Sequence, residues 1–174
     1  MIKIDEYNEK YAKEMSDIII TNMYEINIKD HGKEVIDRLS KHFTEEEIKK
    51  NYPKRIKNYV AIEDNKVVGT ISIDRLRGDE TGKKYIILTL FVKLEKHNQG
   101  IGTTLIKKIE EYALQVCKEK NMKEAILGCY ENNYGSNKTI IKNGGILYRT
   151  SYDEKKLSDE WTIELKNNYY KIKL

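Results

Sequence analysis

An α/β fold is what this 174-residue sequence predicts: a mixed, mostly antiparallel sheet with helices on both faces. Three observations predict it. Apolar residues recur at spacings of three and four in two long stretches, 8–26 and 101–116, as helices require. Between them lie short runs rich in Val, Ile, Tyr and Leu, separated by turn residues, as antiparallel strands require. One such run, YIILTLFV (85–92), then passes through a glycine-bearing turn into the second helical stretch, the hand-over of a strand–helix–strand unit.

Each element has its own warrant. IKI (2–4) reads as a short strand. From Asn8 onward, Ala12, Met15, Ile19, Met23 and Ile26 form one helical stripe, which NIKDHG (27–32) ends. A second stripe uses Val35 or Ile36, Leu39 and Phe43. Thr44 with Glu47 is a capping box that restarts a helix, since a threonine oxygen can accept from the third backbone amide. Pro53 stops or turns the chain soon after. YVAIED (59–64), the turn NK and VVGTISIDRL (67–76) make a hairpin, and RGDETGKK (77–84) is a looser turn. The continuous apolar run 85–92 predicts a central strand covered on both faces.

After the glycines, Ile101, Leu105, Ile109, Tyr112 or Ala113, and Val116 mark the inner face of a helix and Lys107, Lys108, Glu110 and Glu111 the outer one. KEKN (118–121) closes it. EAILGCY (124–130) is a strand, and NNYGSNKTIIKNGG (132–145) a short helix stopped by Gly144 and Gly145. ILYRTSY (146–152) and NYYKIKL (168–174) are the last two strands, with Trp161 between them. No repeat, low-complexity tract or Pro/Gly/Ser-rich linker interrupts the order, so a single domain over 1–174 is expected.

Composition narrows the function classes. Hydrophobic residues make up 39% and charged residues 34%, and the net charge of +4 comes from interleaved signs. With no basic arm or block, nucleic acid is not an expected partner. Cys117 and Cys129 lack ligand or redox spacing, and His31, His42 and His97 have no close cysteine partners, so no metal motif is present. MIKIDEYNEKYA is too polar for a signal peptide and the longest apolar run is far shorter than a membrane span. The expectation is a cytoplasmic protein without a membrane partner, monomeric or homodimeric.

The chemistry concentrates in HNQGIGTT (97–104). The first four N–H groups of a helix lack intrahelical partners and sit at its positive end. Gly100 and Gly102 remove two side chains that would block an anion, and Thr103 and Thr104 add hydroxyls. A pyrophosphate cradle is one reading; turn chemistry alone is the other. The spacing is neither that of a Walker loop nor that of a dinucleotide fingerprint, whose third glycine position is Leu105 here.

FVKLEKHNQGIGTTL resembles the acetyl-CoA motif of the GNAT acetyltransferase superfamily, an apolar strand followed by Arg/Gln-x-x-Gly-x-Gly/Ala at a helix start. CYENNYGSNKTIIKNGG resembles its next motif, with Asn133 and Ser136 in the Asn-x-x-Ser positions. Residues 85–145 carry the specific match, and the order of elements agrees elsewhere. The resemblance implies a splayed parallel strand pair, 85–92 and 124–130, forming the cofactor cleft. It implies that acetyl-CoA lays its pyrophosphate on backbone amides of His97, Asn98, Gln99, Gly100, Ile101, Gly102 and Thr103. The pantetheine would pair with Leu90, Phe91 and Val92, Asn133 would hold it from the other side, and an N–H near Phe91 or Val92 would be the oxyanion donor. A primary amine on a small molecule or peptide would attack directly.

Two positions depart from the family pattern. His97 stands at the Arg/Gln position, and its alternative reading is an exposed turn histidine. Ile140 stands where many members carry a tyrosine as general acid. Tyr134 is the nearest substitute, with an ordinary surface tyrosine as the alternative; Tyr130 is a further option. Glu131 and, behind it, Asp74 are the candidate bases, both also readable as solvated acids. Lys93, Lys96 and Lys138 are candidate phosphate contacts in a lysine-rich chain. The acceptor pocket is expected from 27–33, 77–84 and 152–161. The competing functions are a non-catalytic acyl-CoA-binding regulator, suggested by Ile140, and a regulator that uses the glycine turn for another nucleotide.

Overall fold

The computed structural model describes residues 1–75, 80–81, 85–119, 124–156 and 162–173. It divides into two compact units, Met1–Ile109 and Glu110–Leu174.

The first unit is built on an antiparallel sheet of four strands in the order β1 (Lys3–Glu6), β2 (Lys57–Glu63), β3 (Lys66–Arg75) and β4 (Tyr85–Val92). The β2–β3 hairpin turns on Asp64 and Asn65, both with positive φ (49° and 62°). That is one residue before the expected NK, because Lys66 is drawn into the ladder opposite Glu63. Asp and Asn tolerate the left-handed region better than other side chains, which suits them to a two-residue hairpin loop.

Two helices enclose this sheet. α1 (Ala12–Asn22) continues through a wider π-helical turn, Met23–Asn27, into the short α2 (Ile28–His31). Its stripe of Ala12, Met15, Ile18, Ile19 and Met23 is buried with Val60 and Val67 of the sheet, Ile36 of α3 (Lys33–Ser40), Ile48 of α4 (Glu45–Asn51), and Tyr52. Thr44 caps α4 as its spacing predicts, accepting from the Glu47 amide at 3.3 Å. On the opposite sheet face lies the start of α5 (Ile101–Glu119): a Cβ added at Gly69 of β3 would stand 3.0 Å from Leu105 and 3.3 Å from Ile101. The glycine lets helix and sheet approach closely.

The apolar run 85–92 forms a strand, but it ends the sheet and is half-buried throughout. Hydrophobic content alone cannot separate a central strand from an edge that some other group must cover.

The second unit holds a separate antiparallel sheet in the order β5 (Glu124–Tyr130), β7 (Thr162–Lys173), β6 (Ile146–Lys156). β7 starts six residues before the apolar segment from which it was expected. α6 (Tyr134–Lys142) packs on β5 and β7. It ends where expected: Gly144, at φ +91°, donates to the Ile141 carbonyl at 3.0 Å and Gly145 to that of Ile140 at 3.0 Å. Every strand pair among the described residues is antiparallel, and β4 and β5 each close one end of their own sheet. No described helix is long and apolar enough to cross a membrane. Trp161, most of the 77–84 turn and residues 120 and 121 of KEKN lie outside the described residues.

Candidate active site

The geometry of β4 is the first unusual feature. Thr70 pairs with Phe91 but Ser72 with Leu88, so Ile71 faces two residues, Thr89 and Leu90: a β-bulge. Thr89 has φ +52°, a conformation rare for a β-branched residue and found where surrounding contacts enforce it. Thr89 Oγ1 donates to Ser72 Oγ at 3.0 Å, and Arg55 Nη1 donates to both hydroxyls, at 3.1 Å and 2.9 Å. The Arg55 guanidinium lies 3.8 Å from the centroid of the Tyr52 ring, which is 1% exposed. Burial pushes the Tyr52 phenol above its ordinary pKa, with the Arg55 charge working against it.

Beyond the bulge the strand is regular. The Lys93 amide donates to the Val68 carbonyl at 2.9 Å, so the alternation of an antiparallel ladder turns the Val92 amide and carbonyl away from β3. Of the two expected oxyanion donors, Phe91 therefore faces its partner strand and Val92 faces outward. The Val92 carbonyl is held from two sides, by Asn22 Nδ2 at 3.0 Å and by His97 Nε2 at 2.8 Å. A carbonyl only accepts, so Nε2 carries the proton. The His97 ring is thus a brace on the end of β4. Asn22 went unread in the sequence, although a polar residue falling on the Met15–Ile18–Ile19 stripe was the signal.

The turn that follows is shaped by Asn98 at φ +61° and Gly100 at φ +82°. Gln99 Nε2 donates to the Glu95 carbonyl at 3.1 Å, fastening the loop to itself. The first amide of α5 to find an acceptor is Thr104, bonded to the Gly100 carbonyl at 3.0 Å, with the Thr104 hydroxyl on the same carbonyl at 3.1 Å. The amides of Ile101, Gly102 and Thr103 therefore stand without acceptors among the described residues, at the positive end of a 19-residue helix. The space in front of them is open. A Cβ on Gly100 would meet nothing within 4 Å, and one on Gly102 only Val92 Cγ2 at 3.8 Å. Donors, dipole and room together fit a pyrophosphate. Lys93 and Lys96 are already ion-paired, with Glu95 at 2.7 Å and Glu63 at 2.5 Å.

The remaining candidates fall into two places. Asp74, on β3, pairs with Ile86, and its Oδ1 accepts from the Arg75 amide at 2.8 Å. It is five strand residues from the Phe91 position, roughly 15 Å. The others belong to the second unit. Asn133 Oδ1 caps α6 by accepting from the Ser136 amide at 3.1 Å, which leaves Nδ2 as its outward donor. Glu131 is ion-paired with Lys166, whose pKa it raises through that hydrogen bond. Tyr134 is 79% exposed, and Ile140, at the usual acid's position, is 5% exposed. Lys138 is exposed.

Sequence reading also missed the polar centre of this unit. Asn137, 9% exposed, donates to the carbonyls of Glu131 (3.1 Å) and Asn133 (2.8 Å) and accepts from Asn168 (3.0 Å) and the Tyr170 hydroxyl. It locks the loop between β5 and α6. Among the described residues no three His, Cys, Asp or Glu side chains gather to hold a metal.

Comparison with known proteins places this arrangement. The family model described as acetyltransferase (GNAT) matches residues 20–142. Among solved structures, yncA of Salmonella typhimurium with its cofactor acetyl-CoA shares 12% identity at a TM-score of 0.73, covering 99% of this chain and 94% of that one. The PaiA N-acetyltransferase of Thermoplasma acidophilum in complex with coenzyme A shares 17% at 0.70, covering 100% and 99%. A GNAT-family acetyltransferase of Staphylococcus aureus Mu50 shares 25% at 0.62, with the same coverage. No curated protein matches the sequence. The mixed α/β architecture is that of these acetyltransferases, and the chain belongs to the GNAT acetyltransferase family.

Proposed function

We propose that this protein is an acetyl-CoA-dependent N-acetyltransferase, a single domain over 1–174 working in the cytoplasm, that joins an acetyl group to a primary amine in a ternary complex. The observation that carries this reading is the end of β4: an outward Val92 amide followed by three unpaired amides around Gly100 and Gly102. Ile101, Gly102 and Thr103 would hold the pyrophosphate, with the loop residues His97, Asn98 and Gln99 around it, and Leu90 and Val92 would offer backbone groups to the pantetheine. In the second unit, Asn133 Nδ2 would be its donor, with Ser136 at the same helix start.

In this reading the acceptor's nitrogen attacks the thioester carbonyl carbon. A C–N bond forms, the C–S bond breaks, and the electron pair leaves with sulfur. The Val92 amide would meet the negative charge on the carbonyl oxygen. The amine loses one proton to solvent, through Glu131 or Asp74 by a water relay, and the thiolate gains one from solvent or from Tyr134. Positioning supplies most of the acceleration.

A second reading, an acyl-CoA-binding regulator without turnover, is favoured by the buried Ile140 and the outlying Tyr134. One experiment separates them: calorimetric titration with acetyl-CoA, then thiol release with an amine panel. Binding with amine-dependent release supports the enzyme, binding alone the regulator, and absence of binding removes both.

A further inference from the structure

We propose that Arg55 is a carboxylate clamp for the acceptor, so that the amine acetylated by this protein bears a carboxylate close to its reactive nitrogen, as an amino acid does. This rests on the N-acetyltransferase reading above and names its substrate class.

Arg55 is half-buried, yet no carboxylate lies within ion-pair distance among the described residues. A half-buried guanidinium with no anion beside it in the protein can take one from a ligand. Its orientation is fixed twice over. One face stacks on the Tyr52 ring at 3.8 Å, and Nη1 spends both its protons on the Ser72 and Thr89 hydroxyls. This leaves the Nε–Nη2 edge, two parallel N–H groups, with no acceptor among the described residues. Neither nitrogen is among the buried polar atoms that lack a partner, so the edge reaches solvent. That edge matches the two oxygens of a carboxylate side-on, and its rigid stacking lowers the ordering cost of binding.

Its position decides what the carboxylate belongs to. Arg55 is bonded to Thr89, the strained residue of the bulge, and Thr89 is two residues from Phe91 and three from Val92. At about 3.3 Å per residue the clamp lies roughly 7–10 Å of strand from the proposed reaction centre. A molecule that reaches from one to the other is small, with amine and carboxylate a few bonds apart. A long diamine has no group that suits the clamp. Ser72 is fully buried and Thr89 half-buried, so neither hydroxyl supplies the missing charge.

The test compares acceptors that differ only in the carboxylate. Wild-type protein with acetyl-CoA is offered the common amino acids and short peptides with free carboxyl groups, their carboxamides, and the matching decarboxylated amines, with thiol release as the readout. At least one free acid should exceed its carboxamide by about 100-fold in kcat/KM. Arg55→Gln should lower that value by about 100-fold, chiefly through KM, while acetyl-CoA affinity changes less than twofold; Arg55→Lys, which keeps charge but not the fork, should recover only part. The proposal is overturned if carboxamides or plain amines are acetylated as well as the acids, if no free acid is turned over, or if Arg55→Gln weakens all acceptors alike. The wild-type comparison stands even if the variants fold poorly. Failure of acetyl-CoA to bind wild-type protein would instead bring down the underlying enzyme assignment.

Discussion

Asn22 Nδ2 donates to the Val92 carbonyl at 3.0 Å, joining the last turn of α1 to the end of β4 across 70 positions of sequence. The same nitrogen donates to the Ile18 carbonyl at 2.8 Å, so both of its protons are used and the side chain is 4% exposed. Asn22→Leu keeps the volume and leaves His97 alone on Val92. It should cost about 1–2 kcal/mol in urea unfolding. Asn22→Asp, which sets a charge against two carbonyls, should cost more than Asn22→Leu at neutral pH. Equal stability of all three proteins would show that the bond contributes nothing.

Gly102 separates the needs of the fold from those of a ligand. It lies in the first turn of α5, where alanine is the better helix former, and an added Cβ would make only an ordinary contact with Val92. Gly102→Ala should therefore keep or raise stability, by up to about 1 kcal/mol, and, because the resembled motif admits alanine at this position, should bind acetyl-CoA about as well as wild type. Gly102→Glu, which sets a carboxylate in the proposed phosphate space, should lower calorimetric affinity for acetyl-CoA by about tenfold or more. Gly100→Glu should abolish binding, since it puts a carboxylate where the phosphate is proposed to lie. Undiminished affinity in both glutamate variants would place the phosphate elsewhere.

The contrast between these two sites shows what the sequence made legible. Helix periods placed α1, α3 and α5, the Gly144–Gly145 stop placed α6, and the glycine spacing marked the turn because glycine leaves the amides of a helix start uncovered. The bulge at Thr89 was invisible, because threonine is a good strand former and its positive φ is imposed by Arg55 and Ser72, distant in sequence. The edge position of β4 was misread for a related reason: a continuous apolar run states that a strand is covered, and not by what. Arg55 itself sits two residues after Pro53 in an unremarkable turn, and its role comes from tertiary contacts alone.

Burial pushes the Cys129 thiol up to about 11, from an ordinary value of 9.0. Thiolate is the nucleophile, so at pH 8 its fraction is about 100-fold below that of an exposed thiol. Alkylation of Cys129 by iodoacetamide in native protein should be correspondingly slow, and its rate should climb until about pH 11. The stability consequence has a definite sign. Between about pH 9 and 11 the unfolded chain has lost this proton and the folded chain keeps it, so stability falls as pH rises through that window. Rapid labelling at pH 8, followed by mass spectrometry of the Cys129 peptide, would show that the half-buried thiol is not shielded.

Gly145 tests the closure of α6. A Cβ there would stand 2.5 Å from Ile140 Cγ2 and 2.9 Å from the Ile140 carbonyl oxygen. The oxygen is backbone and already accepts the Gly145 amide, so it cannot move aside without breaking the helix stop. Gly145→Ala should destabilise by about 2–3 kcal/mol. Gly135 has open space, its nearest neighbour being Asn133 Oδ1 at 3.9 Å, so Gly135→Ala should be tolerated in the same thermal melts.

Tyr134 decides whether the chain keeps a protein acid for the leaving thiolate. A general acid contributes about 10²- to 10⁴-fold and must lie within hydrogen-bond reach of the group it protonates. Tyr134 is 79% exposed at the start of α6, whereas a phenol serving as acid would be expected to be screened from water. Tyr134→Phe should therefore leave kcat within about threefold and should not shift the alkaline limb of its pH profile. A drop of 100-fold, or loss of that limb, would return the phenol to the reaction and show that its ring turns inward when the thioester is bound. With Ile140 apolar and 5% exposed, the outcome expected here leaves solvent as the proton source for sulfur. An enzyme of that kind suits a good leaving group, since a thiolate departs without being protonated first, and the rate would then follow the basicity of the attacking amine across the acceptor panel.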